Sequence, residues 1–272
     1  MSYTTSLSDE GAARKNNSFS ATASAGELER PFASGGFRWV AKGTYTEGQR
    51  DGETCVIKWF KDEAKQNIYE EDCFSDDIKA TDKAIEIITK WNNSRVIDKK
   101  VCMNKCEVWT CSGDLSAKHK DGTKVLVEPY IDDFEKFNSN VGWTDGGGVS
   151  WSKVMQALSH FSYHITNGEY LLCDLQGSVY KNGIVLTDPV ILSDEPGKFG
   201  NTDLGPKGIS TFFNRHTCTK YCKATWSKPK STASYFDLKE GTTMIPSANR
   251  SRQSGKGPMG VTTRFDRQTL PF

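Results

Sequence analysis

The chain has 272 residues, 36% hydrophobic and 25% charged, with a formal net charge of +1. That length supports a substantial core, in one domain or in two closely packed lobes. The balanced charge gives no global field for nucleic acid or anionic membrane, and no apolar run is long enough to insert in a bilayer. The amino terminus lacks the apolar stretch of a secretory signal, so the expected compartment is cytoplasmic. Eight cysteines, at positions 55, 73, 102, 106, 111, 173, 218 and 222, are accordingly expected to be reduced, with a subset holding metal.

Residues 1–28 are rich in Ser, Thr, Ala and Asn without apolar periodicity, which predicts a disordered arm. PFASGGFRWVAKGTY then sets Gly35 and Gly36 between apolar residues, ahead of Arg38 on a strand-like run. Glycines let backbone approach phosphate oxygens, and an arginine can clamp them with two hydrogen bonds. TCVIKWF alternates, with Cys55, Ile57 and Trp59 on one face and Val56, Lys58 and Phe60 on the other. Lys58 is then either a snorkelling surface residue or the partner of an anion. Residues 66–91 read as helix, in one piece or two, with Ile78, Ile85 and Ile88 at helical spacing and Thr81 and Ala84 on the same side. Its acids Glu70, Glu71 and Asp72 are candidate partners for the strand lysine, or simply a solvated face. CEVWTC and KVLVEPYI read as strands, the second buried and ended by Pro129.

After the glycine-rich break FNSNVGWTDGGG, SWSKVMQALSHFSYHI forms an amphipathic helix with the stripe Trp151, Val154, Met155, Leu158 and Phe161. His160 and His164 lie one turn apart on it. EYLLCDLQG delivers Asp174 and Gln176 into a turn, and IVLTDP delivers Asp188 at the end of the paired strand. Two acids and an amide so gathered can hold a hard divalent cation through oxygen; turn capping by aspartate is the alternative. Pro206 opens a final helix striped by Ile209, Phe212, Phe213 and His216, with Cys218 and Cys222 facing one another at its end. An imidazole beside two thiols suits zinc, with His160 or His164 as the fourth ligand, and a closed four-ligand set is structural. Residues 227–272, rich in Lys, Arg, Ser, Thr, Gly and Pro, are predicted to be a mostly flexible tail.

In their order and distances, PFASGGFR, CVIKWF, VEPYI, SHFSYH, DLQG, LTDP, GNTDLGPKG and HTCTKYC resemble the alpha-kinase family. The resemblance spans about Pro31 to Cys222. It implies an α+β, two-lobed atypical protein-kinase-like fold, with an N-terminal lobe over 29–127 and a C-terminal lobe over 128–226 that contains a structural zinc. It implies transfer of phosphate from ATP to serine or threonine of a protein substrate, assisted by Mg2+. In that frame Lys58 and Arg38 resemble the phosphate-contacting lysine and arginine, and Glu128 and Tyr130 fall in the segment lining the adenine pocket. Asp174 matches the catalytic aspartate, and Gln176 and Asp188 match the magnesium ligands. The zinc ligands map to His160, His216, Cys218 and Cys222, leaving His164 out. Gly200 to Gly205 resembles the glycine-rich segment near phosphates and substrate, as Gly35 and Gly36 do in the other lobe. The expected arrangement closes the two hairpin acids and Lys58 around one triphosphate.

Two features depart from the family's pattern: the hairpin between DLQG and LTDP is longer, and VILS lacks a histidine before its serine. A catalytically silent binding module of the same fold is the competing reading. It has no physical need for Lys58, Asp174, Gln176 and Asp188 together. A zinc-dependent nucleic-acid module is disfavoured by the neutral charge.

Overall fold

A computed structural model describes residues 7, 11–61, 74–113, 119–145, 150–239, 241, 243 and 262–267. In chain order the described elements are β1 (Ala13–Arg14), β2 (Ser18–Ser24), α1 (Ala25–Glu29), β3 (Ala33–Ser34), β4 (Arg38–Gly48), β5 (Thr54–Phe60) and α2 (Ser75–Ser94). There follow β6 (Lys100–Asn104), β7 (Glu107–Ser112), β8 (Lys124–Pro129), β9 (Glu135–Lys136), α3 (Ser150–Ile165) and β10 (Tyr170–Cys173). The last are β11 (Gln176–Tyr180), β12 (Gly183–Thr187), β13 (Val190–Ser193), α4 (Gly205–Arg215) and β14 (Thr262–Arg267). The chain divides into two compact units, each assembled from discontinuous segments.

One unit comprises Lys15–Ser75, Lys105–Tyr130 and Asn249–Phe272. Its sheet runs β2-β14-β7-β8-β5-β4-β3, and an extra pairing of β2 with β4 closes six of these strands into a ring. Closure removes the open edges that a flat sheet exposes to aggregation. Ala21, Tyr45, Cys55, Ile57, Trp59, Trp109 and Val127 form its core, so the face shared by Cys55, Ile57 and Trp59 is the core face of β5. The opposite face, Val56, Lys58 and Phe60, is also buried, because Phe60 stacks on Phe74 and Lys58 meets a carboxylate.

The expected disordered arm does not hold over Ala13–Glu29. SFSATAS pairs as β2 with both β4 and β14, burying Ala21 and Ala23, and Ser24 with Glu27 caps α1 reciprocally. Small side chains that look like linker composition here allow close strand packing. Nor is the carboxyl-terminal stretch wholly free of structure, since Thr262–Arg267 inserts between β2 and β7.

The other unit comprises Met1–Arg14, Asp76–Asn104 and Ile131–Ala248. Residues 76–104 therefore do not belong with the first unit, as a contiguous division at 127/128 requires. β6 pairs parallel with β12, and α2 packs Ile87, Ile88 and Trp91 into one core with Met155, Leu158 and Phe161 of α3. The buried stripe of α2 is Ala84, Ile87, Ile88 and Trp91, while Ile78 and Ile85 are half-buried. Each large apolar side chain so buried contributes roughly 1.5–3 kcal/mol. The described part of the predicted helix is Ser75–Ser94; residues 66–73 of it, with Glu70, Glu71, Asp72 and Cys73, lie outside the described residues. The mixed sheet runs β1-β6-β12-β11-β9, and β10 and β13 form a separate two-stranded ribbon.

Candidate active site and metal centre

Asp174 and Asp188 come together because one pair of strands is interrupted at the same level on both sides. β10 and β13 pair antiparallel up to Cys173↔Val190, and β11 and β12 resume pairing at Gln176↔Thr187. The two breaks, one at 174–175 and one at 188–189, therefore face each other. Both acids occupy the left-handed backbone region, with φ of 58° at Asp174 and 47° at Asp188. Non-glycine residues in that region carry strain, which persists only where surrounding structure enforces it. The sequence places Asp174 and Gln176 in a turn; the structure places Gln176 at the head of β11. Gln176 Nε2 donates to Asp174 Oδ2 at 3.4 Å and to the Asp188 carbonyl at 3.3 Å, tying the two breaks together.

Gly177 explains the glycine of DLQG. A Cβ at that position would lie 1.9 Å from the Val185 carbonyl oxygen across the strand pair, so any side chain would force the ribbon apart.

Asp174 is buried, and burial is the main cause of a pKa above the usual aspartate range. The Lys136 ammonium, 2.8 Å from Oδ1, pulls the other way, as does the Thr243 hydroxyl, while Asp188 adds a like charge that raises it further. Sequence reasoning missed Lys136. It stands on the two-residue strand β9, too short to give a pattern, and reaches the site because β9 pairs with Gln176 and Gly177.

Asp203 was missed as well, although its motif GNTDLGPKG was not. Its buried carboxylate accepts from Ser193 N at 2.9 Å, Gly205 N at 3.0 Å, Ser193 Oγ at 2.7 Å and Phe199 N at 3.3 Å. One side chain thus binds the end of β13 to both ends of the glycine-rich loop. Gly200 and Gly205 lie in that loop with φ of 83° and 63°. At Gly205 a Cβ would also meet Pro196 Cγ at 2.5 Å, so the turn into α4 requires glycine. Asp203→Ala leaves several buried donors without acceptor and is expected to destabilise this unit by about 3 kcal/mol, read as a lower urea midpoint.

In the strand-ring unit, Gly35 and Gly36 form the tip of the β3–β4 hairpin, where neither position is crowded. Arg38 opens β4 with its guanidinium 5.1 Å from the Phe60 ring centre. Lys58 is buried and forms an ion pair with Glu128 of the neighbouring strand β8. The carboxylate that meets the strand lysine is thus the residue the family pattern assigns to the adenine pocket. Tyr130 follows β8, with Lys42 Nζ 4.2 Å from its ring centre. Lys58→Met is expected to cost about 3–5 kcal/mol by leaving Glu128 buried without that cation. Pairing it with Glu128→Leu should recover most of the loss, and denaturant midpoints of the single and double variants would measure this coupling.

His160, His216, Cys218 and Cys222 offer one ligand atom each, all within 4.8 Å of one another. His160 is the fourth member and His164 is outside; the Nδ1 of His164 accepts from Ser227 N at 3.2 Å. The cysteines do not continue the helix, because α4 ends at Arg215 and His216 is its extended C-cap. That turn is what lets the thiols fold back toward α3. Both imidazoles are oriented from behind. His160 Nε2 lies 3.1 Å from the Ser227 carbonyl, leaving Nδ1 3.6 Å from Cys218 Sγ. His216 Nδ1 lies 3.1 Å from Gln156 Oε1, leaving Nε2 4.0 Å from Cys222 Sγ. Donation of N–H to an oxygen behind fixes the tautomer and points the lone pair at the thiols, the usual support of a metal-bound histidine. Burial, with His160 beside it, lowers the His216 pKa to about 4, so its ring is neutral at pH 7 as a ligand must be.

The residues after Cys222 are docked, which corrects the expected flexible tail up to Phe236. Trp226 packs against Trp91, His160 and Phe161. Ser210 and Ala233 bond reciprocally, Tyr235 N donates to Thr211 Oγ1, and Arg215 donates to Ser234 Oγ and the Phe236 carbonyl.

A strand ring with a buried lysine–glutamate pair, and a mixed α/β unit carrying paired acids and a His/Cys donor set, define an α+β protein of two discontinuous units. The chain belongs to the alpha-kinase family, whose model matches residues 33–222. Alpha-protein kinase vwkA of Dictyostelium discoideum is 33% identical over 117 residues, covering 42% of this chain and 18% of that protein. Myosin heavy chain kinase A of the same organism is 28% identical over 179 residues, covering 64% of this chain and 14% of that protein. The chain therefore matches only a small part of these relatives' length. Among solved structures, an alpha kinase from Entamoeba histolytica aligns with a TM-score of 0.61 at 23% identity, covering 79% of this chain and 82% of that one. The alpha-kinase domain of myosin-II heavy chain kinase A in complex with AMP-PNP gives 0.61 at 21% identity, covering 79% and 95%. The fold is that of an alpha-kinase domain.

Proposed function

We propose that this chain is an alpha-type protein kinase that transfers the γ-phosphate of ATP to serine or threonine hydroxyls of protein substrates. The observation that carries the reading is the double break that sets Asp174, Gln176 and Asp188 together in a chain of this family. An alpha-kinase domain of myosin-II heavy chain kinase A has been solved in complex with ATP, which supports the choice of nucleotide.

In this reading Asp174 accepts the hydrogen bond of the acceptor hydroxyl and orients its oxygen for in-line attack. Phosphoryl transfer asks for positioning and charge neutralisation more than covalent chemistry. Lys58 and Arg38 meet phosphate oxygens, with Glu128 and Tyr130 beside the adenine. Gly35, Gly36, Gly200 and Gly205 let backbone come close to phosphate and acceptor. Asp188 and Gln176 would hold Mg2+, which when bound neutralises charge developing on the phosphate oxygens. The like charges of Asp174 and Asp188 favour a cation there, and Gln176 would turn its amide to offer oxygen in place of nitrogen. His160, His216, Cys218 and Cys222 would hold a structural zinc, since four protein donors leave no open position for water.

The test is incubation of the chain with magnesium and γ-labelled ATP plus a protein acceptor. The expected result is label on serine or threonine that disappears with EDTA. Absence of transfer, with partner capture that ignores nucleotide, would instead mark a silent binding module.

A further inference from the structure

Asp174 is the residue on which an acceptor hydroxyl must rest in this reading, and a hydroxyl already rests there. Thr243 Oγ1 donates to Asp174 Oδ2 at 2.6 Å. Thr243 Oγ1 also accepts from Lys136 Nζ at 3.0 Å, and Lys136 Nζ stands 2.8 Å from Asp174 Oδ1. The hydroxyl is therefore held at both ends: the carboxylate takes its proton side, and the ammonium takes a lone pair. Both bonds are charge-assisted, the stronger class of hydrogen bond.

Thr243 reaches this point by a built route. The strap from Trp226 to Phe236 is fastened to α3 and α4 by Trp226, the Ser210–Ala233 pair and the Arg215 fork. That attachment lies in the same unit as Asp174 and Lys136, so only the stretch from Phe236 to Thr243 has to span the remaining distance. A tethered hydroxyl competes at an effective concentration set by such a short connection, well above that of a free protein acceptor.

We infer that Asp174 and Lys136 together form the seat for the acceptor hydroxyl, and that Thr243 fills this seat in the resting chain and competes with protein substrate for it. The inference rests on the protein-kinase reading. It adds Lys136 to the residues that touch the reacting hydroxyl and gives Thr243 the role of an internal competitor. A substrate must present its serine or threonine hydroxyl where it can displace that of Thr243.

Thr243→Val keeps the shape and removes the hydroxyl, and it alters none of the residues assigned to nucleotide or metal. In the full chain, the KM for a protein acceptor is expected to fall about tenfold, the scale of one charge-assisted hydrogen bond, with kcat and the KM for ATP unchanged. Thr243→Ser keeps the hydroxyl and should return the wild-type KM. Amide exchange at Gly241 and Thr243, measured without nucleotide, should accelerate in the valine variant and not in the serine one. If the chain transfers phosphate and the acceptor KM of Thr243→Val is unchanged, the competitor role is overturned whatever exchange does. If the wild-type chain transfers none, the kinase reading fails on its own; unchanged exchange in Thr243→Val then overturns the seat separately.

Discussion

Asp174→Ala is expected to lower phosphoryl transfer by about a thousandfold while ATP affinity stays within about threefold of wild type. The asymmetry follows from where the carboxylate stands. It faces Lys136, Thr243 and Gln176 within its own unit, and none of these is assigned to the nucleotide. Removing it takes away the acceptor for the substrate hydroxyl's proton and the partner that holds Lys136. Loss of both orientation and proton acceptance falls on kcat and kcat/KM together. Asp174→Asn separates the two contributions, since the amide oxygen can still accept a hydrogen bond but carries no charge. It should recover part of the orientation and little of the rate. Initial rates with labelled ATP, set beside calorimetric nucleotide binding, make the comparison. Wild-type transfer by the alanine variant would remove Asp174 from the chemistry and with it the role of the ribbon break.

How much of this was legible beforehand depends on the range of the interaction. The acids were legible singly because each ends a short apolar run, but their meeting was not. The sequence suggests that the runs ending in these acids pair with each other; instead β10 pairs with β13 and β12 with β11, and the acids face one another at the break between those two pairings. The alternation of β5 was legible for the same local reason. Lys136 and Thr243 were not. They reach Asp174 through a two-residue strand and through a strap whose course depends on Trp226, Arg215 and Ser210, none of which forms a periodic pattern. Asp203 looked like one more loop acid, and only the structure shows four donors converging on it.

The discontinuous units hid in another way. SFSATAS has the composition of a linker, yet its small residues suit the crowded pairing of β2 with β4. There a Cβ at Gly43 would come 2.9 Å from the Thr22 carbonyl oxygen. The Ser24-to-Glu27 spacing is a capping box and was a readable sign of α1. Assignment of α2 to the same unit as α3 is a tertiary fact: Ile87 and Trp91 find partners far along the chain, which periodicity cannot name.

In the proposed zinc-bound chain, removal of the metal should have the largest effect on stability. The His/Cys set links α3 through His160 to the turn after α4, and the oxygen behind His160 belongs to Ser227, next to the buried Trp226. Ligand geometry, helix ends and the start of the strap are thus one connected structure. Without a cation, only weak thiol–imidazole contacts join the four side chains, and Cys222 is held above the ordinary thiol pKa chiefly by burial. A bound zinc would take both sulfurs as thiolates and convert that cost into binding energy that appears as folding stability. Cys218→Ala, or extraction with a strong chelator, is therefore expected to lower Tm by about 10 °C or more, with α4 and the strap loosening first. The wild-type chain should carry zinc by elemental analysis and lose it in the Cys218→Ala variant. Gln156→Leu, which removes only the oxygen behind His216, should weaken zinc retention by about tenfold while changing Tm less, because the ligands themselves remain. A metal-free wild-type chain whose melting is untouched by chelator or by Cys218→Ala would mean that these four side chains are held by packing alone.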